Sequence, residues 1–508
     1  MRLSTLLKDF ISIPQAIDCD ITGVSLDSRL IKKDNLFIAI QGTHSNGHQY
    51  INDAIAHGAC AILMSSPDTF PNTERSSSIA MEKSIPMISI PQLTNKIGQI
   101  AARFYHHPAE KLCMIGATGT NGKTSCTHFI AQLLQAFNVT CGVIGTLGQG
   151  FYGRLTETGL TTPDAVKLQA ILRGLLDQGA QAVAMEVSSH SIAQARVNNI
   201  PFEIGIFTNL TQDHLDYHGD MQTYAAVKRC FLAALSTQHL IINADDSYGA
   251  AWLQELADKK PIIAYSVSPT ASSLACIPST IPIVYADNIQ SSLEGIHAYL
   301  HSPWGEGKLF LPLMGQFNLS NALAALTVLC VYGMRFDLVL AQLAHLHPVP
   351  GRMQLLGGGN KQPVVLVDYA HTPDALEKVL QAIRAHLTQR LICVFGCGGD
   401  RDASKRPLMA KIAETYADDV IVTNDNPRHE SPDAIAAQIM QGFERPERVK
   451  IILDRAQAIA ASIQLASVND CVLIAGKGAE RYQQIGDKKI PFEDVEQVLH
   501  YLNLYFIH

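Results

Sequence analysis

The sequence predicts an α/β protein of three domains: an N-terminal domain, a central phosphate-loop domain on a parallel sheet, and a Rossmann-like C-terminal domain. Three observations predict it. The chain has 508 residues, which at about 150 residues per domain gives roughly three. Short β-branched runs followed by helix-like stretches recur throughout, the signature of alternating strands and helices. Several of those runs are continuously apolar and end in polar residues, as parallel strands buried on both faces do.

The elements follow in order. Residues 1–102 contain the strand NLFIAIQG (Asn35 to Gly42), the helix-then-strand HQYINDAIAHGACAILM (His48 to Met64), and a Ser/Pro-rich surface loop from Ser65 to Ser78. Residues 103–346 hold KLCMIGA from Lys111, then TCGVIGT (Thr140 to Thr146), AVAMEVSS (Ala182 to Ser189), EIGIFTNL (Glu203 to Leu210) and HLIINADD (His239 to Asp246). The Pro/Gly cluster HPVPGRM (His347 to Met353) marks a hinge into residues 347–508, where PVVLVDYA, RLICVFGCGGD, DDVIVTNDNP and CVLIAGKG each read as strand then loop. Loops after strand C-termini form the ligand crevices of open parallel sheets, so the polar residues there are the place to look for chemistry.

Composition excludes some classes. Lys and Arg total 39 against 46 Asp and Glu, a net charge of −7, which gives no basis for a nucleic-acid motor or a membrane-surface protein. Lys8 and Asp9 interrupt what would be the apolar core of a signal peptide. The apolar run Ala322 to Val331 is broken by Thr327 and falls short of the ~18 residues that span a bilayer. The 11 cysteines are scattered without a CxxC pair, which fits reduced thiols in a cytoplasmic protein rather than a disulfide framework or zinc site.

LCMIGATGTNGKTSCTHFIAQLL reads as strand, glycine-rich loop and helix. Gly116, Gly119 and Gly122 are expected to turn the backbone so that N–H groups face phosphate oxygens. Lys123 is expected to neutralise β/γ-phosphate charge and Thr124 to ligate Mg²⁺ at the positive end of the helix. Ala117 stands where the strict consensus has its first glycine. Glu186 is placed where a second-strand acid could hold Mg²⁺, and the loop FTNLTQDHLDYHGDM offers Asp213, His214, Asp216, His218 and Asp220 as further ligands or phosphate contacts.

Several motifs in order resemble the Mur ligase family: TGTNGKT (Thr118 to Thr124), MEVSSH (Met185 to His190), TNLTQDHLDYHG (Thr208 to Gly219), GQFNLSNALAA (Gly315 to Ala325), PGRM (Pro350 to Met353), DYAHTPDALE (Asp368 to Glu377), GCGGDRDASKRP (Gly396 to Pro407), DNPR (Asp425 to Arg428) and GKG-x-E (Gly476 to Glu480). The resemblance implies an ATP- and Mg²⁺-dependent ligase of peptidoglycan precursor synthesis that adds meso-diaminopimelate to UDP-N-acetylmuramoyl-L-alanyl-D-glutamate through an acyl phosphate. It also implies action as a cytoplasmic monomer.

Residue by residue it implies ATP contacts at Gly119, Thr120, Asn121, Gly122, Lys123, Thr124, Ser125, Asn318, Asn321, Arg352, Asp368 and His371. Mg²⁺ falls to Thr124, Glu186, His214 and Lys228, the last matching a lysine that the family carbamylates; Lys123, Lys228 and His214 are the implied catalytic set. A bare Lys228 is expected to be cationic near neutral pH, which would repel the metal. The UDP-sugar substrate carries over to Leu26, Ser28, Thr43, His44, Ser45, Thr161, Thr162, Ser188, Gln194 and Arg196. Diaminopimelate carries over to Arg401, Asp425, Asn426, Pro427, Arg428, Gly476 and Glu480, with Ala479 where many relatives have His.

An arginine fork suits a carboxylate, and diaminopimelate has a distal carboxylate that lysine lacks, so Arg428 favours diaminopimelate over lysine. The lysine-adding, D-Ala-D-Ala-adding and folylpolyglutamate-type ligases, and a phosphate-loop regulator that only hydrolyses ATP, are the alternatives.

Overall fold

Apolar runs become strands wherever both of their faces find a helix. The computed structural model describes residues 1–42, 46–65, 77–157, 159–234, 237–270, 277–292, 294–359, 362–385, 387 and 389–506. The chain forms two compact units, one of Met1–Gly116, Val139–Glu203 and Ala234–Gln238, the other of Ala117–Asn138, Ile204–Ala233 and His239–His508.

In the first unit, Gly23–Ser25, Asn35–Ala39, Ala59–Ser65 and Ile85–Ile90 are parallel neighbours, with Ser78–Glu82 antiparallel at the edge. Leu36 and Ile38 face a core with Ile97, Ile100 and Ala101 of the helix Leu93–Phe104, while Phe37 and Ala39 face Ile51 and Ala54 of the helix Ile51–Ala56. Alternate residues thus bury on opposite faces, and the run has no polar position. The same unit holds Cys141–Gly145 paired in parallel with Ala182–Glu186, and the small antiparallel strands Gly148–Phe151 and Arg154–Thr156. The loop expected from Ser65 to Ser78 lies largely outside the described residues.

The second unit carries Phe202–Phe207 (from Ile204), His239–Asn243, Ile262–Ser266 and Ile283–Ser292 in parallel register. Gly295–Ser302 and Gly305–Leu311 extend them antiparallel. This extension was not among the expected strands because its residues alternate between buried and exposed instead of forming a continuous apolar run. A six-stranded sheet follows, ordered Gln354–Gly357, Val364–Asp368, Cys471–Ala475, Leu391–Phe395, Asp419–Val422, Val449–Ile451 and parallel except for the first. Four of its strands end at Asp368, Gly396, Asp425 and Gly476 or within three residues of them, so the expected crevice residues share one end. Among the described residues no helix is long and apolar enough to cross a membrane.

Candidate active site

Gly116 and Ala117 lie inside the strand Cys113–Thr118, so the turn expected at Gly116 falls later and the missing consensus glycine costs nothing. The bend is made at Gly119 (φ +149°) and Gly122 (φ +86°), conformations that only glycine adopts freely. A Cβ on Gly119 would lie 1.9 Å from Thr208 Oγ1, and one on Gly122 2.4 Å from Asn321 Oδ1. The Thr208–Asn209 segment fixes the loop. Thr120 N donates to Asn209 O (2.8 Å), Asn121 N to Asn209 Oδ1 (3.0 Å), and Thr208 Oγ1 to Asn121 O (2.6 Å). Lys123 folds back so that Nζ donates to the carbonyls of Gly119 (3.0 Å) and Thr120 (2.8 Å). Thr124 and Ser125 are buried at the start of the helix Lys123–Ala136.

Lys228, in the helix Met221–Ala233, is 1% exposed. Its Nζ donates to Gly119 O at 2.7 Å and lies 4.7 Å from the Tyr224 ring centre. Burial and then the charge of Lys123 hold this amine well below the usual lysine range, against the pull of Asp213. Burial therefore works against the cationic state expected of a bare Lys228. Desolvation penalises the charge that sequence alone assigns.

The acid-rich loop separates into distinct roles. Burial opposes ionisation of Asp213, but its pairing with His371 (3.6 Å) and the charges of His214 (3.4 Å), His371 and Lys405 hold it well below the usual carboxylate range. Asp220 accepts from Thr223 N (2.7 Å) at the start of its helix, and Asp216 is exposed. His218 is buried beside Tyr224 with ring centres 5.0 Å apart. Among the described residues no three His, Cys, Asp or Glu cluster as a metal cage.

Arg352 donates from Nη2 to Thr124 Oγ1 (3.1 Å), with its guanidinium 4.1 Å from the Tyr369 ring centre. Asp368 accepts from Met353 N and Ala370 N, each at 2.7 Å, so it holds the turn that presents Arg352. Burial raises its pKa despite Arg352 and those two amides. Gln354 holds the same turn, accepting from Gly351 N at 2.9 Å. Asn318 donates to Met314 O (2.8 Å), whereas Asn321 packs on Gly122. Asn121 reaches Asp374 (3.2 Å), and Gln212 reaches Asp402 (3.1 Å) and Ser404 (2.9 Å).

In the first unit, Thr161, Thr162, Glu186, Ser188, Gln194 and Arg196 come together. Thr162 Oγ1 donates to Glu186 O (2.8 Å), Arg196 donates to Thr162 O (2.8 Å) and to Gln194 Oε1, and Thr161 meets Thr146 at 3.2 Å. The Glu186 carboxylate accepts from Thr146 N (2.8 Å) and Oγ1 (3.1 Å). Ser188 starts the helix Ser189–Ala193, its hydroxyl accepting from Ser191 N at 3.1 Å. Ser28 is buried and Leu26 packs on the core of the first sheet. Thr43, His44 and Ser45 lie outside the described residues.

The expected amino-acid loops meet in the second unit. Arg428 (φ +52°) is pinned by its N–H to Gln484 O (3.1 Å), and Nη1 donates to Gly399 O (2.7 Å). Burial and then the neighbouring charge of Arg401 lower its pKa, and a Cβ on Gly398 would lie near both Arg428 Nη1 (2.7 Å) and Arg401 Cγ (3.8 Å). Asn426 donates to Glu480 (2.9 Å), and Lys477, wholly buried, donates to Asn426 Oδ1 (3.0 Å) and Glu480 Oε2 (2.8 Å). Burial disfavours charge on Asp425, yet Lys477 and Arg455 hold it below the usual range. Pro427 O packs on Gly399, and a Cβ on Gly476 (φ +118°) would meet Asp425 Oδ2 at 2.7 Å. The backbone N of Ala479 lies against Gly351, a contact that does not depend on the side chain.

Sequence reasoning missed Lys477, Arg406 and the Arg455–Asp494 pair. Lys477 and Arg406 carried a signal, since they sit inside the motifs GKG-x-E and GCGGDRDASKRP. Arg406 is wholly buried and donates to both Glu430 oxygens (2.8 and 2.9 Å) and Gly398 O (3.1 Å).

A phosphate loop with an arginine pair and a carboxylate network at the ends of a second parallel sheet is the equipment of a nucleotide-driven ligase, and that is the class this fold and site define. The Mur ligase family catalytic domain matches residues 20–105, the Mur ligase middle domain 117–329, and the Mur ligase glutamate ligase domain 351–478. The chain belongs to the Mur ligase family. It is 45% identical over 480 residues to the UDP-N-acetylmuramoyl-L-alanyl-D-glutamate–2,6-diaminopimelate ligase of Coxiella burnetii, covering 94% of this chain and 95% of that one. It is 46% identical to the protein of the same name from Pseudomonas aeruginosa, covering 95% and 96%. A solved structure titled with that same enzyme name superposes with a TM-score of 0.68 at 32% identity, covering 99% of both chains.

Proposed function

We propose that this chain ligates meso-diaminopimelate to UDP-N-acetylmuramoyl-L-alanyl-D-glutamate at the expense of ATP, with domains at residues 1–102, 103–346 and 347–508. The observation that carries the reading is the Arg428–Arg401 pair beside the Asn426–Lys477–Glu480 network. It presents cations and a carboxylate to a molecule that carries both charges at its far end.

Joining an acid to an amine in water is uphill, so the acid is activated first. The D-glutamyl γ-carboxylate attacks the γ-phosphoryl group, the bond to the β-phosphate oxygen breaks, and ADP leaves. The amine of diaminopimelate then attacks the acyl phosphate carbonyl, loses a proton and expels phosphate, leaving the amide. Two anions meet in the first step, so charge neutralisation and positioning dominate. Lys123, whose amine rests on the Gly119 and Thr120 carbonyls, and the start of its helix would meet the phosphates, and Arg352 brings a further cation to Thr124.

Mg²⁺ fits this chemistry as an ion held chiefly by phosphate oxygens and few protein groups. The buried Thr124 at the start of its helix agrees with that, and Thr124, His214 and Lys228 would hold it. When bound, it supplies charge for the transferring phosphoryl group. The neutral form of the Lys228 amine, which burial favours, is also the form that would add CO₂, with loss of a proton, to give a carbamate whose oxygens replace a cation.

The test measures phosphate release with ATP and the muramyl dipeptide nucleotide, with and without diaminopimelate or lysine. Release and a new amide should need diaminopimelate. Preferential lysine ligation, or phosphate release with no acceptor, would overturn the reading.

A further inference from the structure

We propose that Arg455, locked by Asp494, is a positioning residue for amino-acid selection. Its guanidinium fixes the loop that carries Asp425 against the loop that starts at Gly476. This rests on the reading of those loops as the diaminopimelate site.

Arg455 is the first residue of the helix Arg455–Leu465, outside every motif singled out above. Its side chain and that of Asp494 are fully shielded from solvent. Nε and Nη2 donate to the two Asp494 oxygens, both at 2.7 Å. Nη2 also donates to Ala475 O (3.0 Å) and Nη1 to Asn424 O (3.3 Å). Ala475 is the last residue of its strand, just before Gly476, and Asn424 lies two residues past the end of its strand, just before Asp425. The strands leading to them, Asp419–Val422 and Cys471–Ala475, are not neighbours, because Leu391–Phe395 lies between. Sheet hydrogen bonds therefore cannot set the two loops against each other directly, and the guanidinium spans the gap.

A buried ion pair is a poor source of stability compared with apolar packing, so orientation is the better account of it. Three acceptor groups from three segments need donors spread over a rigid plane, which arginine has and lysine lacks. The far side of the loops is tied independently by Lys477, which joins Asn426 to Glu480.

The experiment uses full-length Arg455→Lys and Asp494→Asn, with Tm and separate KM values for diaminopimelate, the nucleotide dipeptide and ATP, and the preference for diaminopimelate over lysine. A misplaced loop should raise the diaminopimelate KM by about 10-fold or more and erode the preference, with the other two KM values within about 2-fold. A lower Tm with unchanged diaminopimelate KM and preference, or an equal rise in all three KM values, would overturn the proposal. Should neither variant fold, hydrogen exchange on the wild type decides. Diaminopimelate should slow exchange together in 424–428, 475–480 and the start of the 455–465 helix, and protection of one loop alone overturns it. A wild type that never ligates diaminopimelate defeats the site reading itself, and this proposal with it, whatever the variants do.

Discussion

Arg428 combines two costs that a solvated loop residue would not keep. Its backbone is left-handed, at roughly 1 kcal/mol for a residue with a Cβ, and its guanidinium is partly desolvated beside Arg401. A carboxylate arriving between the two arginines relieves the second cost. Arg428→Lys keeps the charge and loses the fork, so it should raise the diaminopimelate KM by about 10- to 100-fold, the equivalent of one or two charge-assisted hydrogen bonds. Steady-state kinetics with diaminopimelate and lysine check it, and the preference should narrow. Lys228 makes the second prediction at this scale. Lys228→Ala should lower kcat by at least about 100-fold, the usual cost of losing one preorganised charge-stabilising group, and short-chain carboxylates should restore part of it by filling the space of the carbamate. Little loss, or no rescue, would count against the modification. Sequence could nominate both residues but not the environment of Lys228, because its lowered pKa comes from burial against a loop more than a hundred residues away.

Among elements, the phosphate loop shows which glycines matter. Gly116 is inside a strand, whereas Gly119 has both a positive φ and Thr208 in the way of any side chain. Gly119→Ala should therefore displace the loop, weaken ATP binding by about 10-fold or more and lower stability by about 1–3 kcal/mol. Gly153→Ala, at φ +80° with open space around it, should cost about 1 kcal/mol and leave ATP binding unchanged. Calorimetric titration with ATP and thermal unfolding separate the two outcomes. Periodicity made the parallel strands legible because both faces are buried, as Phe37 and Ile38 show in neighbouring positions. It did not reveal Gly295–Ser302 or Gly305–Leu311, whose one-sided burial resembles that of many loops. Arg455 and Asp494 were illegible for another reason. They are 39 residues apart, and a charge on an ordinary helix looks solvated until the fold closes over it.

Across the molecule, the buried charges set its tolerance of acid. Asp213 and Asp425 are both buried and both held below the usual carboxylate range by neighbouring basic groups, the first by His371, His214 and Lys405, the second by Lys477 and Arg455. In an unfolded chain each would titrate near about 3.9. A carboxyl whose folded pKa is depressed adds stability that is fully present above that unfolded value and is lost as pH falls through the folded value. Asp368 works in the opposite sense, since burial raises its pKa and protonation in the folded state favours the fold as pH drops. Asp246 and Glu493 are raised by burial as well, but the lowered carboxyls, among them Asp402, Asp418 and Glu430, outnumber the raised ones. The urea midpoint should therefore decline as pH is lowered from about 5 to about 3. Asp425→Asn should be less stable than wild type at neutral pH, because Lys477 and Arg455 lose their counter-charge, and should flatten the acid decline. Urea unfolding followed by circular dichroism at a series of pH values reads both effects, and a variant with the wild-type acid slope would show that the Asp425 charge does not contribute to it.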